Sequence, residues 1–274
     1  MPEGPEIRRA ADVLSAAISG QRVRKFFFSY LELKPWERKL QGTTVCAVQA
    51  HGKAILTRFS NDFTLYTHNQ LYGRWQIISG GDYPESTRQL RVAIHTNKQT
   101  ALLYSASDIR ILTEEEVHEH PYLRRLGPDL LDIELVAEQI ATRLAEKKHR
   151  RRSLMGLLQD QAVLAGMGNY LCCEVLHVTG IHPRQRTANL TTEQINRLAK
   201  NCLQLTRQSY ETGGITNDTN RAKAMQKEGL TFENYRFHVY RRAGQPCYRC
   251  GTPIVKSKFC GRMSYICPVC QSEP

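Results

Sequence analysis

Cys247 and Cys250, followed by Cys267 and Cys270, form the pattern C-x2-C-x16-C-x2-C, and no other feature limits the fold of this chain so tightly. Two-residue spacers let both thiolates of a pair face one tetrahedral ion, and the gap between the pairs lies within the range of four-cysteine zinc sites. An ion held this way substitutes for a hydrophobic core in a segment so short. Because protein fills all four positions, the expected cofactor is one structural Zn2+ and not a catalytic one. The plain alternative is two disulfides or loose thiols. Cys46, Cys172, Cys173, Cys202 and Cys260 bring the total to nine, and an odd number with so many unpaired favours a reducing compartment.

Between the two pairs, residues 254–259 and 263–266 read as strands meeting at Cys260, Gly261 and Arg262. An arginine at such a tip, with Lys256, Lys258 and Arg249 nearby, suits phosphate contact through its planar fork. A solvated surface arginine is the bland alternative.

Upstream, Ile7, Ala11, Leu14 and Ile18 recur at helical spacing behind Pro5, and Gly20 suits the stop. From 21 to 105 the pattern changes to short β-type runs at 45–50, 54–59, 63–68, 90–95 and 101–104, with hairpin turns at 60–62 and 96–98. A sandwich capped by its first helix is expected. Around Gly127-Pro128-Asp129 the pattern turns helical. Val136, Ile140 and Leu144 share one face, and Leu154, Leu157, Leu158 and Ala162 mark a second helix. A break at 166–169 precedes a helix from Tyr170. Thr191 with Gln194 resembles a capping box before the stripe Ile195, Leu198, Cys202 and Leu205, which Gly213-Gly214 ends. A polar stretch at 215–229 then leads into an alternating strand at 235–240 and the cysteine-rich tail.

Lys plus Arg outnumber Asp plus Glu by 38 to 26, for a net charge of +12 and a pI near 9.4. That is the footprint of a nucleic-acid binder, although a merely basic protein fits composition equally well. The run Lys147, Lys148, Arg150, Arg151 and Arg152 reads either as a DNA contact or as a solvated face. No apolar run approaches a membrane span, and the charged, proline-bearing start has no secretory h-region. A cytoplasmic protein is expected, with no membrane partner.

The opening Pro2-Glu3-Gly4-Pro5-Glu6 supports two readings. If Met1 is removed, Pro2 presents a free secondary amine, whose attack on a sugar C1′ gives a cationic iminium, an electron sink. An α-amino group with an ordinary pKa of about 8 is partly unprotonated near neutrality, and the proline ring limits its motion. Glu3 would exchange protons with the opening sugar or the leaving base. Equally, the segment is simply a good helix start with acids suited to the macrodipole.

The opening pentapeptide, the turn His51-Gly52-Lys53, the segment Gly166-Met167-Gly168-Asn169-Tyr170 and the tail from Gly261-Arg262 through Cys267-Pro268-Val269-Cys270-Gln271 together resemble the formamidopyrimidine-DNA glycosylase and endonuclease VIII family. The similarity runs over nearly the whole chain in the family's order. Gly4 and Asn69-Gln70-Leu71-Tyr72-Gly73 resemble the endonuclease VIII branch in particular. The resemblance implies an α+β fold: an N-terminal β-sandwich catalytic domain over 1–126 with a capping helix, a helix-two-turn-helix DNA-binding domain over 127–230, and a zinc-finger β-hairpin over 231–274. It implies that Pro2 forms a Schiff base with Glu3 as acid/base partner. Lys53 would hold a phosphate and assist elimination, Asn169 would bind phosphate at a helix start, and Arg262 would grip phosphate and take part in the last elimination. Gln70, Leu71 and Tyr72 would fill the gap left by an extruded base. Arg125 is a further implied DNA contact and Glu174 a pocket residue.

The implied activity is that of a bifunctional DNA glycosylase and AP lyase of base excision repair, acting as a monomer on damaged double-stranded DNA in the bacterial cytoplasm or nucleoid, with oxidised pyrimidines as substrates. Two departures are plain. Cys172 and Cys173 stand where a basic or aliphatic residue is more usual, and Gly213-Gly214-Ile215-Thr216 with the long 215–229 segment is closer to the purine-directed branch. The alternatives are therefore an oxidised-purine glycosylase of the same family and a non-enzymatic zinc-ribbon DNA-binding protein.

Overall fold

The computed structural model describes residues 2–80 and 82–273, which divide into two compact units, Met1–Arg125 and Leu126–Pro274.

In the first unit α1 (Gly4–Ile18) places Pro5 in its first turn, where a missing N–H is harmless, and it is followed by left-handed Gly20. Ile7, Ala11, Leu14 and Ile18 are all buried, as their spacing predicts. The strands are β1 (Lys25–Phe28), then, after α2 (Lys34–Leu40), β2 (Val45–His51), β3 (Ala54–Phe59), β4 (Thr64–His68), β5 (Arg74–Ile78), β6 (Leu90–His95), β7 (Thr100–Tyr104) and β8 (Asp108–Leu112). They form two antiparallel four-stranded sheets, ordered β1-β6-β7-β5 and β2-β3-β4-β8. The inner faces and α1 share one core, including Phe26, Phe28, Val48, Ile55, Leu65 and Leu103. Strands β1, β5 and β8 were not expected. Each is a sheet edge with one ladder partner, and Lys25, Arg74, Asp108 and Arg110 interrupt their apolar pattern. Helix α3 (Glu114–Glu119) is capped by Thr113, whose hydroxyl accepts from Glu116 N at 3.2 Å. It leads to Tyr122 and Leu123, which pack with Val117 on Ala54, Leu56, Tyr66 and Leu112, on the outer face of the second sheet.

The second unit is mainly helical. Val136 is not part of the buried face of α4 (Ala137–Ala145). It is the N-cap, 48% exposed, and Ile140, Ala141 and Leu144 turn inward instead. Helix α5 (Leu154–Leu158) stops short of Ala162. The Asp160 carboxylate accepts from Ala162 N at 2.9 Å, and the Arg143 guanidinium donates to the carbonyls of Ala162 and Val163 at 2.5 and 2.9 Å. Gly127 lies against this turn so closely that a Cβ would meet Val163 O at 2.6 Å. Helix α6 (Asn169–Thr179) is buried almost all round, as an apolar helix at the centre of a core must be. Thr191 and Gln194 form the expected capping box of α7 (Thr192–Glu211), which buries Leu198, Cys202 and Leu205 and half-buries Ile195.

The segment 215–229, read as a polar stretch, contains α8 (Thr219–Lys227), with Asp218 as its N-cap and only Ala222 buried. The strand expected at 235–240 does not form. Helix α9 (Phe232–Tyr235) occupies its start, and the N–H groups of His238, Val239 and Tyr240 all donate to the Glu174 carboxylate, so none is left for a ladder. The alternation that mimicked a strand is the burial of Tyr235, Phe237 and Val239. Strands β9 (Val255–Phe259) and β10 (Arg262–Ile266) form the C-terminal hairpin, and Ile254, Phe259 and Ile266 share a core with Leu154, Leu171 and Leu176. Among the described residues no helix is long and apolar enough to cross a membrane.

Candidate active site

Pro2 is half-buried at the start of the first unit, and Glu3, next to it, is only 2% exposed. Glu3 is the N-cap of α1, and its backbone N–H donates to the Glu6 carboxylate at 3.0 Å. The opening segment is thus a helix start, and this same feature fixes where Pro2 lies. Met1, whose removal would free the Pro2 nitrogen, lies outside the described residues.

Helix α1 packs on β2, the strand that leads to Lys53. The pairing of His51 with Ala54 leaves Gly52 and Lys53 as a two-residue hairpin turn, and left-handed Gly52 (φ 58°) permits it. A hairpin lysine ordinarily extends into water. Lys53 is 7% exposed, and its backbone N–H donates to the Tyr122 hydroxyl at 2.8 Å. Ala54 pairs in turn with His68, whose ring meets Tyr122 edge to face at 5.3 Å. Burial lowers the pKa of His68, the Lys53 charge acts in the same direction, and Asp108 opposes both. A neutral imidazole therefore shares the surroundings of the buried ammonium.

His68 Nδ1 accepts from Gln70 N at 3.0 Å, and Gln70 is left-handed at φ 48°. Gly73 closes the turn, its N–H donating to Asn69 O at 2.7 Å, and a Cβ on Gly73 would lie 2.6 Å from that oxygen. Leu71 and Tyr72 project at 58% and 69% exposure, an unusual cost for apolar side chains with nothing to cover them. The Tyr72 carbonyl is held by the Arg88 guanidinium at 2.6 Å. Arg125, exposed, ends a 3-10 turn (Leu123–Arg125).

In the second unit Asn169 begins α6 after left-handed Gly166, in a turn braced by Gln161, which accepts from Gly166 N and donates to Met167 O. The Asn169 amide donates to Met263 O at 2.8 Å and accepts from Gln159 at 3.2 Å. It thereby ties the start of α6 to β10, whose first residue is Arg262. Arg262 is not at the hairpin tip as expected. Cys260 and Gly261, both at positive φ, make the turn, and Arg262 pairs with Phe259 at the head of the strand, exposed. Lys256, Lys258 and Arg249 are exposed as well. In the basic run Lys148 pairs with Glu146 and Arg152 with Asp160, whereas Lys147, Arg150 and Arg151 face outward.

Glu174 does not line a pocket. It is fully buried and accepts from Thr216 Oγ1, His238 N, Val239 N and Tyr240 N at 2.6–2.9 Å, anchoring the 215–240 segment to α6. Cys172 and Cys173 are buried on the same helix, and burial pushes the Cys202 thiol up to about 12, which makes it unreactive. Sequence reasoning missed this anchor along with Gln159, Gln161, His68 and Arg88. Gln159, Gln161 and Arg88 lie in irregular backbone, where no periodicity marks them, and His68 at the end of β4 and Glu174 inside α6 are set apart only by long-range hydrogen bonds or ring contacts.

The sulfur atoms of Cys247, Cys250, Cys267 and Cys270 all lie within 4.8 Å of one another, with contacts at 3.4, 3.5 and 3.9 Å. Tetrahedral coordination with metal–sulfur bonds of about 2.3 Å requires sulfurs about 3.8 Å apart, so the four fit one metal ion. The N–H groups of Arg249 and Cys270 point at Cys247 and Cys267 sulfur at 3.4 Å, as knuckle turns around a thiolate do.

A half-buried proline beside a buried acid, a buried hairpin lysine, an exposed Leu71-Tyr72 turn and a four-cysteine knuckle are the features on which the resemblance rested, and comparison with known proteins assigns the chain to DNA glycosylases with AP lyase activity. The family described as formamidopyrimidine-DNA glycosylase N-terminal domain matches residues 1–114, and the formamidopyrimidine-DNA glycosylase H2TH domain matches residues 126–221. Endonuclease 8 of Enterobacter sp. (strain 638) is 45% identical over 99% of this chain and 100% of its own length, and that of Escherichia coli (strain K12 / DH10B) is 46% identical with the same coverage. Lactococcus lactis Fpg in complex with an abasic site containing DNA superposes with a TM-score of 0.81 at 22% identity over 99% of this chain and 100% of that one, a likeness of fold. The chain belongs to the formamidopyrimidine-DNA glycosylase and endonuclease VIII family of base excision repair.

Proposed function

We propose that this protein removes oxidised pyrimidines, such as thymine glycol, from duplex DNA and then cuts the strand, with the nitrogen of Pro2 as nucleophile. The observation that carries the reading is a carboxyl group buried at a helix start directly beside a half-exposed proline. Burial favours the protonated form of a carboxylic acid, which a proton donor needs.

With Met1 removed, the lone pair of Pro2 attacks C1′ and the glycosidic bond breaks, the base leaving with a proton. Glu3 protonates O4′ as the C1′–O4′ bond opens, which leaves an iminium between C1′ and the proline nitrogen. The iminium acidifies C2′, so loss of that proton expels the 3′ phosphate, and loss of the C4′ proton expels the 5′ phosphate. Water then releases the sugar remnant and restores the amine. Lys53 and Arg262 are the cations assigned to the flanking phosphates and the eliminations, with Asn169 and Arg125 as further backbone contacts. Gln70, Leu71 and Tyr72 occupy the space of the extruded base. The four thiolates hold one Zn2+, which when bound cross-links the two knuckles, and four protein ligands leave no position for substrate. The enzyme acts as a monomer in the cytoplasm, and its affinity falls steeply with salt.

The pyrimidine preference rests on the full-length relatives named Endonuclease 8 and on the Asn69-Gln70-Leu71-Tyr72-Gly73 loop. Single-turnover excision from matched duplexes tests it. Thymine glycol is expected to be released at least about tenfold faster than 8-oxoguanine, and Glu3→Gln to slow the strand cutting that follows ring opening by about 100-fold or more while leaving DNA affinity intact. Equal rates on the two lesions, or faster release of 8-oxoguanine, contradict the assignment.

A further inference from the structure

The N–H of the second residue in a two-residue hairpin turn has no place in the ladder, and when the turn is buried it needs an acceptor from elsewhere. At Lys53 that acceptor is the phenol oxygen of Tyr122, 69 residues further on, at 2.8 Å. A backbone N–H can only donate, so the direction of this bond is fixed. Tyr122 is braced in turn. Its own N–H donates to His120 Nδ1 at 3.3 Å, the His120 ring lies on the Tyr66 ring at 4.3 Å, and the Tyr122 ring meets His68 edge to face at 5.3 Å. Tyr122 follows α3 and precedes the 3-10 turn Leu123–Arg125, outside any strand, so the ladders of the sheet do not place it. Its packing on Ala54, Leu56, Tyr66 and Leu112 does.

We propose that Tyr122 is a positioning residue for the elimination steps: by accepting from the Lys53 N–H, its hydroxyl fixes the turn so that the buried lysine holds its ammonium in reactive alignment with the DNA. The inference rests on the reading of Lys53 as a cation that takes part in the eliminations. A lysine ammonium rides on four methylenes and is aimed only as well as its backbone is held. Left-handed Gly52 and the pairing of Ala54 with His68 hold the chain on either side of Lys53, and the Tyr122 bond holds the N–H between them. Phenylalanine at 122 keeps the ring, and with it the contacts to His68 and the core, and deletes only the acceptor. A buried N–H then faces carbon, a state the turn relieves by moving. Misplacement of a reacting group by about 1 Å costs up to about 100-fold in rate, and a smaller shift of the turn costs about tenfold.

Single-turnover strand cutting at a preformed abasic site, with the full-length, metal-loaded protein, tests this. Tyr122→Phe is expected to lower the maximal rate by about tenfold and to change the half-saturating DNA concentration by less than about threefold. In a Lys53→Ala background, itself slow, the same substitution changes the rate by less than about twofold, because its effect passes through Lys53. Amide hydrogen exchange of the 15N-labelled protein reads the bond itself: exchange at Lys53 accelerates by about tenfold or more in Tyr122→Phe, whereas the Leu56 and Tyr66 amides, which report the fold of the sheet, keep their rates. A wild-type rate in Tyr122→Phe with Lys53→Ala slow overturns the proposal and leaves the assignment of Lys53 standing. An equal loss in both backgrounds, or faster exchange at Leu56 and Tyr66 as well, makes Tyr122 a merely structural residue and also overturns it. Wild-type cutting by Lys53→Ala overturns the assignment of Lys53 and the proposal with it.

Discussion

Replacing Glu174 by glutamine changes one atom in the middle of the second unit. Oε1 accepts from Val239 N and Tyr240 N at 2.9 and 2.8 Å, and Oε2 from Thr216 Oγ1 and His238 N at 2.7 and 2.6 Å. An amide has one oxygen. With its NH2 on the Oε1 side, two buried N–H donors face a third donor. On the Oε2 side the Thr216 hydroxyl can turn and accept, which leaves only His238 N–H unpaired, so this orientation prevails. One charge-assisted bond is lost, about 1.5–3 kcal/mol, and the remaining three fall from charge-assisted to neutral strength, about 0.5–1 kcal/mol each. The smaller desolvation cost of an amide offsets part of this, and the net loss is about 3 kcal/mol. For a unit of this size that lowers the unfolding midpoint by about 6–12 °C. The two tryptophans, Trp36 and Trp75, lie in the first unit, so their emission reports that unit, and metal release to a chromophoric chelator reports the second. The metal-release midpoint of Glu174→Gln is expected to fall while tryptophan emission holds its midpoint. A shift in metal release below about 2 °C would show that the carboxylate is not the anchor of the 215–240 segment.

Three further outcomes follow from the geometry. Chelation of the metal, or Cys247→Ala, is expected to abolish binding of abasic DNA and unfold the hairpin, with one equivalent of zinc released per chain by mass spectrometry. Gly73→Ala forces a Cβ against the Asn69 backbone at 2.6 Å, so the 70–72 tip must move. Excision should fall by about tenfold or more in single-turnover assays, with a midpoint change of only a few degrees. Burial holds His177 down at about 4 against the opposing pull of Glu174, whereas the unfolded chain titrates near 6.5. The fold thus keeps this histidine neutral, and its contribution is complete above pH about 6.5 and lost as the pH falls towards 4. That amounts to about 3 kcal/mol, and His177→Gln should flatten the urea-measured stability profile in that window.

What the sequence disclosed follows physical lines. Ile7, Ala11, Leu14 and Ile18 face one core, so their period survives in the chain, and the Thr191–Gln194 box and the four cysteines are local by nature. Edge strands such as β5 have little apolar signal because one ladder partner and partial exposure suffice for them. The 235–240 segment misled because alternate burial looks the same whether N–H groups go to a neighbouring strand or to a single carboxylate 64 to 66 residues earlier. Glu174 itself looked like a pocket residue, since only long-range hydrogen bonds distinguish an anchor from a ligand contact. Pro2 and Glu3 were one of two readings of the opening residues, which the resemblance favoured, and Lys53 was named by resemblance alone. Their burial, which separates Lys53 from an ordinary hairpin lysine, came only with the fold.

The central claim is tested most directly by reducing the protein with borohydride on abasic DNA and locating the adduct by mass spectrometry of the digested complex. The account predicts a stable cross-link on the α-nitrogen of Pro2 in chains that have lost Met1, and none in chains that retain it. A cross-link confined to Lys53, or no cross-link with mature, metal-loaded protein, would contradict it.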